Sequence, residues 1–353
     1  MTSDPVLALV RPEILALTPY SSARKEASGG KVWLDANENP LTPHAAAPRL
    51  NRYPEPQPAE VVARLASLYG VTPDRVLVTR GSDEGIDLLL RAFCRAGQDS
   101  ILTTPPTYGM YAVAAGIQGA RVITVPLVRE KDFALDADAV LRAVTPETKL
   151  VFLCSPNNPT GQLLDRDDVL HIVTTLATRA VVVVDEAYAE FSTEPSLVQE
   201  LGANPNLVVL RTLSKAFGLA GARVGVTLAS PQLIGVLQKI IAPYPIPAPV
   251  VRAALDALAP TAIAAARQSA LDLVGERRRL TAALSKLPHV RKIWPSDANF
   301  LLTEVTDSAR VMSIARSAGL VIRDRSKDVP NTVRITIGTR AENDFVLETL
   351  ARV

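Results

Sequence analysis

The sequence is short of the residues that build metal centres, disulfide frameworks and nucleic-acid surfaces. It holds two cysteines and three histidines in 353 residues. His44, His171 and His289 are scattered and offer no metal-ligand spacing. Cys94 and Cys154 close apolar strings, LLLRAFC and LVFLC, which marks buried thiols and a reducing compartment. Neither sign of charge dominates: 38 Lys+Arg stand against 36 Asp+Glu, a net charge of +2. With no basic run either, nothing points to a nucleic-acid or membrane partner. No apolar run approaches the ~20 residues that cross a bilayer. The opening MTSDPVLALVRPE lacks a basic n-region and a long apolar core. A soluble, cytoplasmic protein without a metal is expected. Also missing is a G-x-x-x-x-G-K-[ST] loop, since SGGKV at 28–32 lacks the first glycine and the hydroxyl. That absence excludes a nucleotide hydrolase, which the acidic strand end in AVVVVDEAYAEF would otherwise suggest.

What is present is size and alternation. A chain that is 48% hydrophobic over this length buries a large core, as two domains or one large α/β unit. Residues 1–45 are irregular and punctuated by proline, an arm rather than a domain. From about 60, helical stretches (VVARLASLYG, GIDLLLRAF, DDVLHIVTTLA) alternate with short Val/Ile/Leu runs (VLVT, SILTTP, RVITV, KLVFLC, AVVVVD, NLVVLRT). Such runs predict a mostly parallel sheet with helices on both faces, over residues 46–245. Pro243, Pro245, Pro247 and Pro249 alternate in APYPIPAPV, which predicts an extended junction that cannot be helix. Beyond it, a long helical region and the signals NFLLTEV, SARVMSIARSA, LVIRD and VRITIG predict a smaller α+β domain over 246–353.

Chemistry in an open α/β sheet gathers at the carboxyl ends of the strands. Five strand ends here carry polar residues of unusual type. RTLSKAFGLAGARVG puts Lys215 where a buried strand stops, a surface charge or a nucleophile. AVVVVDEAY sends out Asp185, a helix cap or a functional carboxylate. VLVTRGSDEGIDLLLRAF reads as strand, turn and helix, with Ser82 as N-cap and free N–H groups at residues 82–84 that suit an anion. Asp83 and Glu84 oppose an anion, so their carboxylates are expected to point away, with Arg223 supplying a cation. LVFLCSPNNPTGQL ends in a turn rich in neutral donors, and TTPPTYGMY ends in Tyr108. Together these are the requirements of pyridoxal 5'-phosphate: an amine, a carboxylate for the ring nitrogen, donors for the phenolic oxygen, a stacking surface and a phosphate cradle. A carboxylate ~4 Å from a pyridinium at an effective dielectric of ~20 contributes ~4 kcal/mol, roughly three pKa units. That suffices to keep the ring nitrogen protonated at neutral pH.

SPNNPTG, VVDEAY, TLSKAFGLAGAR and VRITIG, in this order, resemble the fold-type I, class II aminotransferases, which depend on pyridoxal phosphate. LDANENP, NRYPEPQP and PPTYGMY strengthen the resemblance, which runs from about residue 12 to 342. It implies a large cofactor domain and a smaller C-terminal domain. Lys215 is implied as the residue that bonds the cofactor and later moves a proton. Asp185 is implied at the ring nitrogen, Tyr188 and Asn158 at the phenolic oxygen, and Tyr108 against the ring. Ser82, Asp83, Glu84, Thr212, Ser214 and Arg223 would surround the phosphate. Tyr53 is similar to a residue that reaches the neighbouring subunit's cofactor, which implies a homodimer with shared sites.

On the substrate side the resemblance implies Tyr20, Asn158, Arg323 and Arg334. The implied reaction is a ping-pong transamination of L-histidinol phosphate with 2-oxoglutarate in histidine biosynthesis. Arg334 would hold the substrate phosphate and then the oxo-acid carboxylate, because a planar fork suits both. An aromatic amino-acid aminotransferase and a threonine-phosphate decarboxylase are the rival activities. The effector domain of a transcription regulator is set aside, because the first 45 residues are neither basic nor a winged helix.

Overall fold

The apolar runs pair side by side. In the computed structural model, which describes residues 5–19, 34–42 and 50–353, seven of them form one sheet. Its strands are β1 (Val76–Thr79), β2 (Ser100–Thr103), β3 (Arg121–Thr124), β4 (Thr148–Cys154), β5 (Val181–Asp185), β6 (Leu207–Thr212) and β7 (Gly225–Leu228). They lie in the order β1-β7-β6-β5-β4-β2-β3. From β6 through β3 the pairings are parallel, while β7 runs antiparallel to both its neighbours. Strand β5 explains the layering. Successive side chains on a strand point to opposite faces. Val181 and Val183 therefore join one core with Phe152 and Leu210, and Val182 and Val184 join the other with Val151 and Val209. A strand apolar at every position has to be covered on both sides. Helices Ala59–Tyr69 and Arg166–Thr175 cover one face; Ser82–Phe93, Met110–Gln118 and Pro231–Ile240 cover the other.

A second sheet, antiparallel throughout, is built from β8 (Val290–Ile293), β9 (Phe300–Val305), β10 (Arg323–Asp324) and β11 (Thr332–Thr336), in the order β10-β11-β9-β8. Leu301, Val333 and Ile335 pack its inner face on helices Pro260–Leu284, Ser308–Ser317 and Arg340–Leu350. A mostly parallel large sheet with a small α+β unit is the fold class expected from the sequence.

Four details differ from the reading of the sequence. Strands β7 and β8 were not anticipated: both are four residues long, and VRKI in β8 carries two charges. Pro249, expected in an extended segment, lies in the first turn of helix Ala248–Ala257, where a missing N–H leaves no helical bond unmade. Ile246, Ala254 and Leu258 pack into the core of the large sheet, so that core continues past the prolines. At the other end, Val6 and Val10 are buried with Ile86 and Leu233, and Lys239 donates to the Leu15 carbonyl at 2.7 Å, which ties the first described residues to the same body. Cys94 and Cys154 are buried free thiols, and burial pushes Cys94 up to about 12. Among the described residues no single helix is long and apolar enough to cross a membrane, and no cluster of His, Cys, Asp or Glu is suited to a metal ion.

Candidate active site

Lys215 stands in the turn that leaves β6. Leu213, fully buried, donates to the Val224 carbonyl, and Gly218 closes the turn on the Lys215 carbonyl at 3.1 Å with φ 67°. The turn points the amine over the carboxyl edge of the large sheet, into a cavity of about 600 Å³. The cavity wall brings together Ser82, Asp83, Tyr108, Asn158, Asp185, Tyr188, Thr212, Ser214, Lys215, Arg223, Arg323 and Arg334, residues spread over 250 positions of sequence. Lys215 Nζ lies 5.5 Å from the centre of the Tyr188 ring. Burial holds its pKa below the usual lysine range, and the nearby Arg334 charge pushes in the same direction. Both effects shift the balance towards the neutral amine, the form that can act as a nucleophile.

Asp185 is 3% exposed at the end of β5. Its Oδ2 accepts from the Tyr111 hydroxyl at 2.8 Å and its Oδ1 from the Ala187 N–H at 3.2 Å, so it also caps the turn that follows. Burial raises its pKa from 3.8 to about 6, against the lowering effect of those two bonds. No described cation forms an ion pair with it. A carboxylate buried without a cation fits a cationic group delivered from the cavity, as a pyridinium would be.

The end of the cavity beside the start of helix Ser82–Phe93 is shaped by two glycines. Gly81, at φ 77°, is the N-cap of helix Ser82–Phe93, so Ser82 is its first helical residue and not the cap expected from the sequence. A Cβ on Gly81 would lie 2.4 Å from Arg223 Nη2; one on Gly225 would lie 2.2 Å from the Gly81 carbonyl carbon. The close approach of β7 to the helix start leaves room for the first-turn N–H groups and the Arg223 guanidinium, a site with the charge for a phosphate. Arg223 donates to Ser214 Oγ at 3.4 Å and to Asp83 Oδ2 at 3.2 Å, and Thr212 Oγ1 donates to Ser214 Oγ at 2.9 Å. The expectation that both acids turn away holds for one of them. Glu84 folds back on Arg80, accepting from its N–H at 2.6 Å, and its carboxylate is absent from the cavity wall. Asp83 faces the cavity, because Arg223 and the Tyr108 hydroxyl (3.0 Å) both bond it there.

Arg334 enters from β11 of the small sheet. Its Nη1 donates to Asn158 Oδ1 at 2.5 Å, and its guanidinium lies 5.2 Å from the centre of the Phe300 ring. Asn158 Nδ2 donates in turn to the Tyr188 hydroxyl at 3.3 Å, which leaves the Tyr188 proton free to point into the cavity. Arg323, Cα partner of Arg334 in the β10–β11 pairing, lines the same wall. Tyr53 is half exposed, stacked on Tyr244 at 4.5 Å, and does not line the cavity. Tyr20 lies outside the described residues. Sequence reasoning missed Tyr111, Arg325 and Phe300. Tyr111 carried a legible signal: it follows Tyr108 by three residues at a helix start, so both side chains share one face.

Asp185 makes the cofactor-free protein sensitive to pH. Its folded pKa lies above the unfolded value, so its contribution is complete below about pH 4 and is lost as pH rises through about 6. A difference of about 2 in pKa corresponds to ~3 kcal/mol. Cofactor-free Asp185→Asn should therefore exceed cofactor-free wild type in stability at pH 8, with the gap closing towards pH 4.5. Urea unfolding of both proteins at the two pH values checks this; a gap independent of pH contradicts it.

Three comparisons bear on the site. The family model described as "Aminotransferase class I and II" matches residues 24–350. The chain is 48% identical over 353 residues to the histidinol-phosphate aminotransferase of Stenotrophomonas maltophilia, covering 99% of this chain and 97% of that one. It is 48% identical over 348 residues to that of Aeromonas hydrophila, covering 97% and 96%. Among solved structures, the histidinol-phosphate aminotransferase of Sinorhizobium meliloti in complex with pyridoxal-5'-phosphate is similar at a TM-score of 0.77 and 27% identity, covering 85% of this chain and 82% of that one. A family match over almost the whole length, joined to a cavity where a lysine, a buried carboxylate and an anion cradle converge, leads to one conclusion: the chain belongs to the class I and II aminotransferases.

Proposed function

We propose that the chain holds pyridoxal 5'-phosphate and transfers the amino group of L-histidinol phosphate to 2-oxoglutarate, giving imidazole-acetol phosphate and L-glutamate in histidine biosynthesis. The observation that carries the substrate is the arginine wall. Arg323 and Arg334 sit directly across from one another on β10 and β11, and Arg325 lines the same cavity. Like charges in direct cross-strand register destabilise a sheet unless an anion lies between them. Burial, and beyond it the charges of Arg325 and Arg323, hold the Arg334 pKa below the usual arginine range, although Tyr188 opposes this. A phosphorylated substrate and then an oxo-acid carboxylate satisfy that wall in turn. The relatives' shared name and their 48% identity support the same choice over an aromatic or decarboxylating activity.

Bound there, the cofactor supplies an aldehyde that amines exchange on and a ring that draws electrons from the carbon losing its proton. The chain's residues do the rest. Lys215 Nζ, its pKa lowered chiefly by burial, would be the residue that bonds the cofactor's aldehyde and the base at the substrate carbon. Asp185 keeps a proton on the ring nitrogen. Tyr188 donates its hydroxyl proton to the phenolic oxygen, oriented by Asn158. Because Asn158 also accepts from Arg334, one amide links the substrate anion to the cofactor's polar edge. Ser82, Asp83, Ser214, Thr212 and Arg223 form the phosphate cradle, with Glu84 contributing only its main chain. Tyr108 offers its ring as the stacking face.

The same reading makes the protein a cytoplasmic homodimer. Tyr53 and Pro54 line a second hollow with Glu38, Asn51 and Pro249 on the outside of the large body, which suits a phenol that serves a neighbour's cofactor. Dilution to monomer, followed by sedimentation, should release cofactor; a monomer that keeps it contradicts the shared site.

Arg334 separates this activity from its rivals. Each charge-assisted bond contributes ~1.5–3 kcal/mol, so Arg334→Ala should lower kcat/KM for histidinol phosphate and for 2-oxoglutarate by roughly 100-fold or more. Arg334→Lys should lose nearly as much, because a point charge cannot reproduce the fork. Stopped-flow absorbance of the two half-reactions measures both. In wild type, histidinol phosphate alone should convert the bound cofactor to its amine form without CO₂, and 2-oxoglutarate should restore it. Intact half-reactions in Arg334→Ala contradict the substrate assignment, and CO₂ release from threonine phosphate favours the decarboxylase.

A further inference from the structure

On the face of the sheet opposite the Asp185 side chain lies a second buried polar cluster, which takes no part in the chemistry above. Arg211, in β6, is 6% exposed, and Glu186, the residue after Asp185, is 4% exposed. Arg211 Nη1 donates to Glu186 Oε2 at 2.7 Å and Nη2 donates to Glu190 Oε1 at 2.6 Å. The guanidinium also lies 4.9 Å from the centre of the Tyr69 ring. Glu186 is held further by the Leu197 N–H at 2.8 Å and the Ser196 hydroxyl at 2.5 Å. A buried ion cluster is a poor source of stability, since well-packed apolar groups of similar volume often do as well or better. Its position is informative. Glu186 and Glu190 flank Tyr188, two residues from it on either side, directly after Asp185. Arg211 precedes Lys215 by four residues. The fork therefore joins the exit of β5, which carries the ring-nitrogen carboxylate and the phenol, to the exit of β6, which carries the amine.

We propose that Arg211 is a positioning residue: clasping Glu186 and Glu190 from behind the sheet, it fixes Asp185, Tyr188 and Lys215 relative to one another. The main-chain link between the two exits, Glu186 N–H to the Leu210 carbonyl at 2.9 Å, sets only the register. The two forked bonds add the orientation that a turn of five residues does not set alone. In a site of this kind a displacement of ~1 Å costs up to ~100-fold in rate.

The proposal rests on the pyridoxal-phosphate reading of the cavity, so wild-type apoprotein is the control: it must take up pyridoxal phosphate with an absorbance band that Lys215→Ala lacks. Failure of that control overturns the reading itself and the proposal with it. The test uses Glu190→Gln and the neutral triple variant Arg211→Met/Glu186→Gln/Glu190→Gln, which removes the charges together and strands none. Expected are a triple variant that folds with a melting temperature close to wild type, cofactor affinity lowered about 10-fold, and a correspondingly slower appearance of the band on mixing apoprotein with pyridoxal phosphate. Glu190→Gln should change both in the same direction by less. A triple variant with wild-type affinity and band kinetics overturns the proposal. So does one that fails to fold, because the clasp is then an element of folding and not of the site.

Discussion

A carboxylate buried at the end of an all-valine strand is the constraint on which the rest of the site depends. β5 can end in Asp185 at 3% exposure only because the strand before it is apolar on both faces and layered by helices on each side. The same layering removes water that would solvate the charge. Tyr111, stacked on Phe152 at 4.8 Å and itself fully buried, provides one of its two hydrogen bonds. With no cation among the described residues beside it, the carboxylate favours whatever positive group the cavity admits. Burial pushes both groups towards their neutral forms, raising the pKa of Asp185 and lowering that of Lys215 on the same cavity wall. Two titrating groups whose environments move them towards each other's role are the signature of acid–base work.

The small sheet matters because it delivers arginine to that cavity. Its seat on the large body is chiefly apolar. Trp294, 2% exposed, packs on Phe133 at 5.2 Å and is flanked by Arg129 and Lys292 at 5.7 and 5.2 Å from its ring. The ion pairs at the same seam, Arg129–Glu304 at 3.1 Å and Lys292–Asp132 at 2.5 Å, are partly exposed and contribute little beside it. What they add is register, so that Arg334 reaches Asn158.

Much of this was legible in the sequence because the strand-end residues are local. A valine run predicts its own strand, and the residue that follows lies at the sheet edge whatever the neighbours do. Lys215, Asp185 and the donor-rich turn that holds Asn158 could be found that way, whereas the roles of Asn158 and Tyr188 came only with the resemblance to the family. Residues whose role depends on a distant partner could not. Tyr111 gains its role only when helix Met110–Gln118 packs against β2 and β3 and brings its ring to Phe152 and its hydroxyl to Asp185, and Arg211 reads as a strand-end arginine until Glu186 and Glu190 come round to it. Asp83 misled for the opposite reason: the rule that acids avoid an anion site is sound, but Arg223 and Tyr108 hold its carboxylate in the wall. β7 was hidden by its glycine, which is there because the Gly81 backbone passes where a side chain would be.

The central claim is that Asp185 keeps the cofactor's ring nitrogen protonated. Nitrogen-15 NMR of the protein reconstituted with pyridoxal phosphate labelled at that nitrogen measures this directly. The account predicts a pyridinium resonance that persists to pH 8 in wild type and moves to the unprotonated position in Asp185→Asn. An unprotonated nitrogen in wild type at pH 7, or a pyridinium unchanged in the variant, would contradict it.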